Sequence, residues 1–318
     1  MKEETFLIII NPAAAGGRAV KRIGPAEALF HKKQLKYSLV FTRSPGHGVT
    51  LAEEAVLDKR ADIIVAAGGD GTVNEVINGI MQALEKGGTP PDFGVLPIGR
   101  GNDFAFGAGV PSSVEEAVDV LANGRGYPLD TGRIRGGLYP EGRFFGNGIG
   151  VGFDTIVGLE AAKANRIPGA LGYVYGALKT FLLFPKAPAV KMSWGDSHFE
   201  GESHQISIMN GKRMGGTFFM APDGLNDDGL FDLCMARQSL TRGDMLRGIF
   251  QYTRGTQAKN PLFKIDRGAR FLIEAPEGGL VCHADGETIC TDGTSLDVEC
   301  IPGALTFRGD KTGELSSK

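Results

Sequence analysis

Residues 62–76 read DIIVAAGGDGTVNEV, and this stretch says most about the architecture of the chain. Its first six residues form an apolar run typical of a buried parallel strand, and apolar residues recur at helical spacing after Thr72. Glycines at such a junction let the backbone approach a phosphate, and the helix N-terminus offers free N–H groups. Asp70 would repel phosphate unless Mg²⁺ bridges the two. We therefore predict a phosphate-binding loop; the alternative is a glycine turn in which Asp70 and Thr72 only cap the helix.

Strand-like and helix-like segments alternate on both sides of this loop. Short apolar runs predict strands at residues 6–10, 36–41, 62–67 and 93–98. Helical patterns predict helices at residues 18–34, 48–57, 72–84 and 114–121. This alternation predicts an α/β domain with a doubly wound, Rossmann-like sheet and helices on both faces. In such sheets ligands bind beyond the carboxyl ends of the strands, where the glycine loop lies.

The pattern changes near residue 130, after which most strand-like runs follow one another without regular helices. These runs are residues 143–148, 189–194, 204–209, 230–236, 270–275 and 295–301. Helical patterns interrupt them at 155–184 and 241–252. We expect a mainly antiparallel β-sandwich as a second domain. The predicted division is 1–130 and 131–309, with the end of the second domain returning to the first and a polar tail at 310–318.

Length, charge and cysteine spacing argue against several classes of protein. The 318 residues exceed the usual size of a single core, and a net charge of −3 gives no overall case for nucleic-acid binding. No apolar run reaches the roughly 18–20 residues that a membrane span needs, and the start lacks signal-peptide features. The four cysteines show no zinc or disulfide spacing. We expect a cytoplasmic protein, peripheral to the inner face of the membrane if it uses a lipid.

The segment GGDGTVNEV, residues 68–76, resembles the signature of the diacylglycerol kinase catalytic domain family, which is related to the sphingosine kinases and bacterial lipid kinases. Further segments resemble that family's motifs in the same order. They are Asn11-Pro12 with Gly16, Gly17 and Arg18; LPIGRGNDFA at residues 96–105; DGLNDDGLFD at 223–232; and HADGE at 283–287. The resemblance therefore covers most of the chain.

This resemblance implies an ATP-dependent lipid kinase that transfers the γ-phosphate to a lipid hydroxyl with Mg²⁺. It implies an ATP-binding first domain and a β-rich, lipid-binding second domain. Its nucleotide-binding residues would be Asn11, Arg18, Thr42, Gly68, Gly69, Asp70, Gly71, Thr72, Val73, Asn74, Arg100 and Asn102. Relatives commonly carry Thr at the position of Arg100, so the contact there differs.

The resemblance also implies roles for acidic residues. Glu287 would be the general base and Asp285 its support. Asp70, Asp103 and Asp130 would form a network around catalytic Mg²⁺. A second, structural Mg²⁺ would be held by Asp228 and by the backbone carbonyls of Leu225 and Leu230.

Each motif has a simpler reading that stays open. Asn11-Pro12 can be an ordinary turn, Asp103 an N-cap, and residues 227–230 a hairpin with exposed acids. Asp285-Gly286 can be a β-turn alone. Arg18, Lys21 and Arg22 can be a solvated helix face rather than phosphate ligands. Residues 161–184 could shape a lipid-access surface or be core packing, and we favour core packing.

Two other functions compete with the lipid kinase. NAD kinases share a GGDGT loop but carry a separate Asn-Glu pair downstream, whereas here Asn74 and Glu75 follow the loop directly. A nucleotide-binding regulator without catalysis would not need Glu287. The expected partners are a lipid with a free hydroxyl, a transiently contacted membrane surface and a second copy in a homodimer. The sequence leaves the lipid open among diacylglycerol, phosphatidylglycerol, a sphingoid base and an undecaprenol-like alcohol.

Overall fold

The computed structural model describes residues 4–163 and 179–310. Its first part is built from parallel strands and helices. In chain order these are β1 (Thr5–Ile10), α1 (Ala19–Lys32), β2 (Lys36–Phe41), α2 (His47–Leu57), β3 (Ile63–Gly68), α3 (Asp70–Glu85), β4 (Asp92–Pro97), α4 (Asp103–Gly107) and α5 (Val114–Asn123). A 3₁₀ turn at Ala14–Gly16 follows β1.

The parallel strands lie in the order β2-β1-β3-β4. Every residue of β3, and all but the first of β1, is buried. Since neighbouring side chains of a strand point to opposite faces, the sheet is covered on both sides. The helices pack in two pairs, α1 with α5 and α2 with α3. The predicted α/β architecture is confirmed.

The second part is rich in antiparallel strands. They are β5 (Arg125–Gly136), β6 (Tyr139–Phe145), β7 (Gly148–Gly152), β8 (Ala189–Trp194), β9 (Ser197–Glu202), β10 (Gln205–Met209), β11 (Phe231–Ala236), β12 (Phe263–Gly268), β13 (Arg270–Glu274), β14 (Leu280–Ala284), β15 (Glu287–Gly293) and β16 (Ser295–Gly309). One sheet has the order β12-β11-β10-β7-β14-β15, and every pairing in it is antiparallel.

The other sheet joins the two parts of the molecule. Its order is β2-β1-β3-β4-β16-β13-β8-β9, with β5 paired to β16 and β6 paired to β5. The antiparallel half of this sheet packs on the second sheet through a core that includes Phe145, Trp194, Phe231 and Phe271. The predicted antiparallel sandwich is therefore confirmed. Residue 130 lies inside β5, so the domain division at that point stays a prediction.

Two further helices complete the described fold: α6 (Phe153–Lys163) and α7 (Arg242–Tyr252). Residues 179–183 are also helical, and the rest of the predicted helix at 155–184 lies outside the described residues. A 3₁₀ turn follows at Gln257–Lys259. No helix within residues 4–163 and 179–310 is both long enough and apolar enough to cross a membrane.

The predicted strand at residues 143–148 is interrupted. β6 ends at Phe145 and β7 begins at Gly148. The N–H groups of Gly146 and Asn147 turn away from strand pairing and donate to the Asp285 carboxylate. A contact with a residue far along the chain therefore breaks the strand, and the local pattern gives no sign of it.

Candidate active site between the two domains

The glycine loop lies between β3 and α3, as its sequence predicts. A Cβ on Gly68 would lie 2.2 Å from the Thr72 hydroxyl, and a Cβ on Gly99 would lie 2.3 Å from the Cα of Gly69. Both positions therefore require glycine for close packing. Thr72 is 3% exposed, and its hydroxyl has no protein hydrogen-bond partner among the described residues. The loop thus presents a helix N-terminus and an unpartnered hydroxyl at the edge of the sheet.

Other predicted nucleotide contacts lie at the same edge. Asn11 donates its N–H to the carbonyl of Ala67 (3.1 Å), and its side chain accepts from the N–H of Ala13 (3.0 Å). Thr42 follows β2 and donates its N–H to Ile10 (2.8 Å). The structure therefore places Asn11 next to β3, the strand that leads into the glycine loop, and Thr42 one strand further away, next to β1.

Arg100, Asn102 and Arg18 differ in what they offer a ligand. Arg100 is exposed, and its guanidinium lies 3.5 Å from where a Cβ on Gly16 would stand. Asn102 closes its own loop, since its side-chain oxygen accepts from Gly99 N–H (3.1 Å). Arg18 is exposed at the start of α1. Arg100 and Arg18 therefore remain available to phosphate, whereas the Asn102 side chain shapes the loop.

Asp70 and Asp103 form an acidic pair beside the glycine loop. A Cβ on Gly101 would lie 2.9 Å from Asp70 Oδ2 and 3.6 Å from Asp103 Oδ2, so both carboxylates face one point. Burial raises the pKa of Asp103 to about 6, and the charge of Asp70 adds to this rise. Burial also raises the pKa of Asp70, with the charge of Asp285 acting in the same direction. The Phe104 N–H donates to Asp70 Oδ1 (3.0 Å).

Arg213 is a site residue that the sequence analysis missed. Its Nε donates to Asp103 Oδ1 (2.9 Å), its Nη2 donates to Gly101 O (3.0 Å), and its guanidinium lies 4.0 Å from the centre of the Phe106 ring. The N–H of Gly216 also contacts both oxygens of Asp103 at 3.0 Å. A loop of the second domain thus holds a carboxylate of the first. The sequence signal that could have indicated this contact is Arg213 with the pair Gly215-Gly216, shortly after the predicted strand at residues 204–209.

The Asp285-Gly286 pair forms the two-residue turn between β14 and β15, with φ of 49° and 87°. Positive φ at both positions is typical of the type I′ hairpin turn, which Asp-Gly favours. The Asp285 carboxylate accepts from the N–H groups of Gly146 (2.7 Å), Asn147 (3.0 Å) and Gly148 (2.9 Å). Glu287 begins β15 and is exposed. Asp285 therefore fixes the turn and leaves Glu287 accessible.

Asn74 was predicted to bind nucleotide, but its side chain is fully buried and occupied by protein. Its amide donates to Asp285 Oδ2 (3.0 Å) and to Phe144 O (3.2 Å). Its oxygen accepts from Arg143 (2.7 Å) and Asn78 (3.2 Å). The Asn74 side chain therefore joins the two domains beside the glycine loop, and its contact with a nucleotide stays a prediction.

Asp130 was predicted to belong to the catalytic Mg²⁺ network, but its hydrogen bonds lead elsewhere. Its two oxygens accept from the N–H groups of Gly229 and Gly303, each at 2.7 Å. The side chain is 1% exposed and pins the neighbouring 225–230 loop to β16. In this structure Asp130 therefore binds backbone N–H groups, and its part in a Mg²⁺ network with Asp70 and Asp103 stays a prediction.

The loop predicted to hold a structural Mg²⁺ lies beside an arginine shared by two acids. The carboxylate of Asp228 forms an ion pair with Arg267, which also contacts Asp232 at 3.2 Å. Asp228 Oδ1 accepts from Leu230 N–H (3.1 Å). One arginine thus faces two carboxylates, and a Mg²⁺ at Asp228 and the carbonyls of Leu225 and Leu230 stays a prediction.

The Asp70 and Asp103 pair also offers oxygen ligands to a hard divalent cation. Oxygen ligands suit Mg²⁺, and two buried carboxyl groups with raised pKa values lack full compensation by positive charge. Within residues 4–163 and 179–310, His, Cys, Asp and Glu side chains form no cluster of three that could hold a metal. Mg²⁺ at this pair would therefore draw its remaining ligands from water and the nucleotide.

Two family models match most of the chain. The model of the diacylglycerol kinase catalytic domain matches residues 5–134, and the model of the YegS C-terminal NAD kinase beta sandwich-like domain matches residues 147–308. Relatives from Yersinia pestis (strain Pestoides F) and Yersinia pseudotuberculosis serotype O:1b (strain IP 31758) are both named "Probable lipid kinase YegS-like". Each is 29% identical over 311 residues, which is 95% of this chain and 96% of the relative.

Solved structures show the same fold. A diacylglycerol kinase from Bacillus anthracis str. Sterne superposes with a TM-score of 0.70 at 21% identity, over 98% of each chain. Yeast NADH kinase in complex with NADH gives a TM-score of 0.50 at 9% identity, over 99% of this chain and 86% of its own. The architecture is therefore one that lipid and NADH kinases share.

Proposed function

Since this chain belongs to the YegS-like family of lipid kinases, we propose that it transfers the γ-phosphate of ATP to a lipid hydroxyl with the help of Mg²⁺. The proposed lipid is diacylglycerol or a similar molecule. In the chain, the diacylglycerol kinase catalytic domain precedes the YegS C-terminal domain. The kinase activity follows from the family. The identity of the lipid and the use of ATP and Mg²⁺ are our proposal.

The hydrogen bond between Asn74 and Asp285 carries the proposal. Asn74 lies in the first turns of α3, directly after the glycine loop, and its amide donates to Asp285 Oδ2 (3.0 Å). Glu287 stands two residues beyond Asp285 on the same hairpin. The helix that follows the glycine loop of the first domain is therefore in direct contact with the acidic hairpin of the second. This supports a reaction between a nucleotide on one side and an acceptor hydroxyl on the other.

In the proposed reaction the N–H groups at the start of α3 and the Thr72 hydroxyl bind phosphate oxygens. Arg100 and Arg18 add positive charge at the same edge. Glu287 accepts the proton of the lipid hydroxyl as its oxygen attacks the γ-phosphorus, and ADP leaves. Bound Mg²⁺, held by Asp70 and Asp103, would neutralise charge on the phosphates.

The test is transfer of labelled phosphate from ATP to a panel of lipids and to NAD. We expect label in a lipid, and we expect Glu287→Gln to slow transfer by about 10²–10⁴-fold. Glu277→Gln serves as the matched control, since Glu277 is an equally exposed glutamate in the turn before β14. Label only in the NAD fraction would exclude a lipid substrate. Unchanged transfer in Glu287→Gln would exclude Glu287 as the base.

A further inference from the structure

Helix α7 presents apolar and basic side chains together on its outer face. Leu246 is 48% exposed and Phe250 is 57% exposed. Arg242, Arg247 and Arg254 are exposed beside them. The spacing of four residues from Arg242 through Leu246 and Phe250 to Arg254 places these residues along one side of a helix and its end. We call this set of five residues the α7 surface.

The fold does not need the outer face of α7. The inner face packs through Met245, Gly248 and Tyr252, which are buried against the second sheet. A capping box between Thr241 and Asp244 fixes the first turn. Leu246 and Phe250 therefore remain exposed on a helix that is already anchored, and exposed apolar groups beside one another mark an interaction site.

The α7 surface continues onto the segment that precedes β8. Arg242 donates to Leu182 O (2.9 Å) and to Phe181 O (3.3 Å). Leu182 is 66% exposed and Leu183 is 63% exposed. The apolar area therefore extends beyond one helix, with an arginine between its two parts.

We propose that the α7 surface docks the enzyme on a bilayer that contains anionic phospholipids. Leucine and phenylalanine side chains enter the boundary between headgroups and acyl chains, and arginines pair with lipid phosphates. Charge complementarity favours an anionic surface, since the three arginines of the α7 surface outnumber Asp244, the acid in the α7 sequence. This inference rests on the proposed function, because a lipid kinase must reach a substrate in the bilayer.

A line of contacts connects the end of α7 to the acidic pair. Phe219 donates its N–H to Tyr252 O (2.8 Å) at the end of α7. Its ring lies 5.9 Å from that of Phe106, which is 42% exposed. Arg213 stacks on Phe106 and holds Asp103. The helix that carries the α7 surface is therefore linked through Phe219, Phe106 and Arg213 to Asp103.

The experiment is sedimentation of the full chain with vesicles of phosphatidylcholine alone and of phosphatidylcholine with roughly one third phosphatidylglycerol. We expect binding to the anionic vesicles and at least about tenfold weaker binding for Arg247→Gln/Arg254→Gln. We expect Leu246→Ser/Phe250→Ser to lose binding as well. Leu138→Ser and Arg125→Gln change an exposed leucine and an exposed arginine elsewhere and should bind as the unchanged protein.

Equal binding by the α7 variants and the controls would overturn the proposal, as would equal binding to neutral and anionic vesicles. A dimer in solution that the Leu246→Ser/Phe250→Ser change dissociates would also overturn it, since the occupant would then be a second copy. Thermal unfolding of each variant checks that it is folded.

Turnover separates this proposal from the proposed function. We expect the α7 variants to phosphorylate a water-soluble, short-chain diacylglycerol at the normal rate and to fail only on vesicles. If no lipid is phosphorylated but vesicle binding still depends on the α7 surface, the docking surface stands and the proposed function falls. If short-chain and vesicle substrates are phosphorylated equally by the variants, the docking surface falls and the kinase stands.

Discussion

The carboxylates of Asp285 and Glu287 show how two neighbouring acids can serve different purposes. Asp285 accepts three backbone N–H groups and the amide of Asn74, so it fixes the hairpin and joins it to α3. Glu287 is exposed two residues further along the same hairpin. Asp285 is therefore occupied by hydrogen bonds within the protein, whereas the exposed side chain of Glu287 is accessible to a substrate.

We therefore predict opposite effects for changes at these two residues. Asp285→Ala should lower the free energy of unfolding by about 2–4 kcal/mol, because it leaves buried donors without a charged acceptor. Glu287→Gln should leave stability unchanged and remove most of the activity. Urea unfolding and turnover, measured on both variants, check this. A Glu287→Gln protein as destabilised as Asp285→Ala would contradict the assignment.

The raised pKa of Asp103 predicts a pH-dependent response to Mg²⁺. A carboxyl whose pKa is about 6 in the folded protein takes up a proton on folding, so the free energy of unfolding falls as pH rises from about 4 to about 6. Above that range Asp103 is ionised beside Asp70, and a bound divalent cation would relieve their repulsion.

We expect Mg²⁺ to raise Tm clearly at about pH 7.5 and little at about pH 5, because a protonated Asp103 binds cations weakly. Differential scanning fluorimetry with a KCl control at equal ionic strength measures this. Asp70→Asn should abolish the difference. An equal Mg²⁺ effect at both pH values would show that the cation binds elsewhere.

Helix α3 organises the site at the scale of secondary structure. Its first turn carries the glycine loop, and Glu75 accepts the N–H groups of Gly46 (2.8 Å) and Gly48 (2.8 Å) at the start of α2. On another side, Asn78 exchanges hydrogen bonds with the backbone of Phe144 in β6 (2.8 and 3.0 Å). One helix therefore fixes the loop before α2, the phosphate loop and the edge of the second domain.

Two glycines of this region should respond differently to alanine. A Cβ on Gly99 would meet the backbone of Gly69 at 2.3 Å, whereas a Cβ on Gly71 would have no neighbour within 4 Å. Gly99→Ala should therefore destabilise the protein. Gly71→Ala lies in the first turn of α3 and should raise stability by about 0.5–1 kcal/mol.

If the N-terminal turn of α3 binds phosphate, Gly71→Ala should also raise the KM for ATP, since its methyl group then enters the nucleotide's space. Thermal unfolding and ATP titration separate the two effects. An unchanged KM in the stable Gly71→Ala protein would argue against phosphate at this turn.

The whole molecule is held together by β16. Its first half pairs with β13 and its second half pairs with β4, while β5 runs alongside both halves. Phe307 is 0% exposed and contacts Phe93, Phe104 and Tyr127 in the core of the first domain. A strand from the last part of the described sequence therefore completes the first domain.

We predict that the two domains unfold in one cooperative transition. Phe307→Ala should cost about 3–5 kcal/mol and shift the whole transition, whereas the neighbouring exposed Thr306→Ala should have little effect. Calorimetry of the intact chain tests this. Two separate transitions, of which Phe307→Ala moves only one, would contradict it.

The sequence by itself determined the layered α/β part, the glycine loop and the Asp-Gly hairpin. These depend on local rules: apolar runs for buried strands, glycine where backbones or side chains come close, and positive φ for an Asp-Gly turn. The same rules predicted Asn11 and the glycine loop at one edge, because consecutive parallel strands end on the same side.

Only the tertiary structure decided which polar residues face the cleft and which hold it in place. Asn74, Asp130 and Asp228 have site-like sequence contexts, yet their side chains are taken up by partners as distant in sequence as Asp285, Gly303 and Arg267. Arg213 shows the opposite case: it lies outside every predicted motif, yet the fold brings its side chain to Asp103. A buried polar group must find its hydrogen-bond partners wherever the fold supplies them, and local pattern cannot reveal pairings made across the chain.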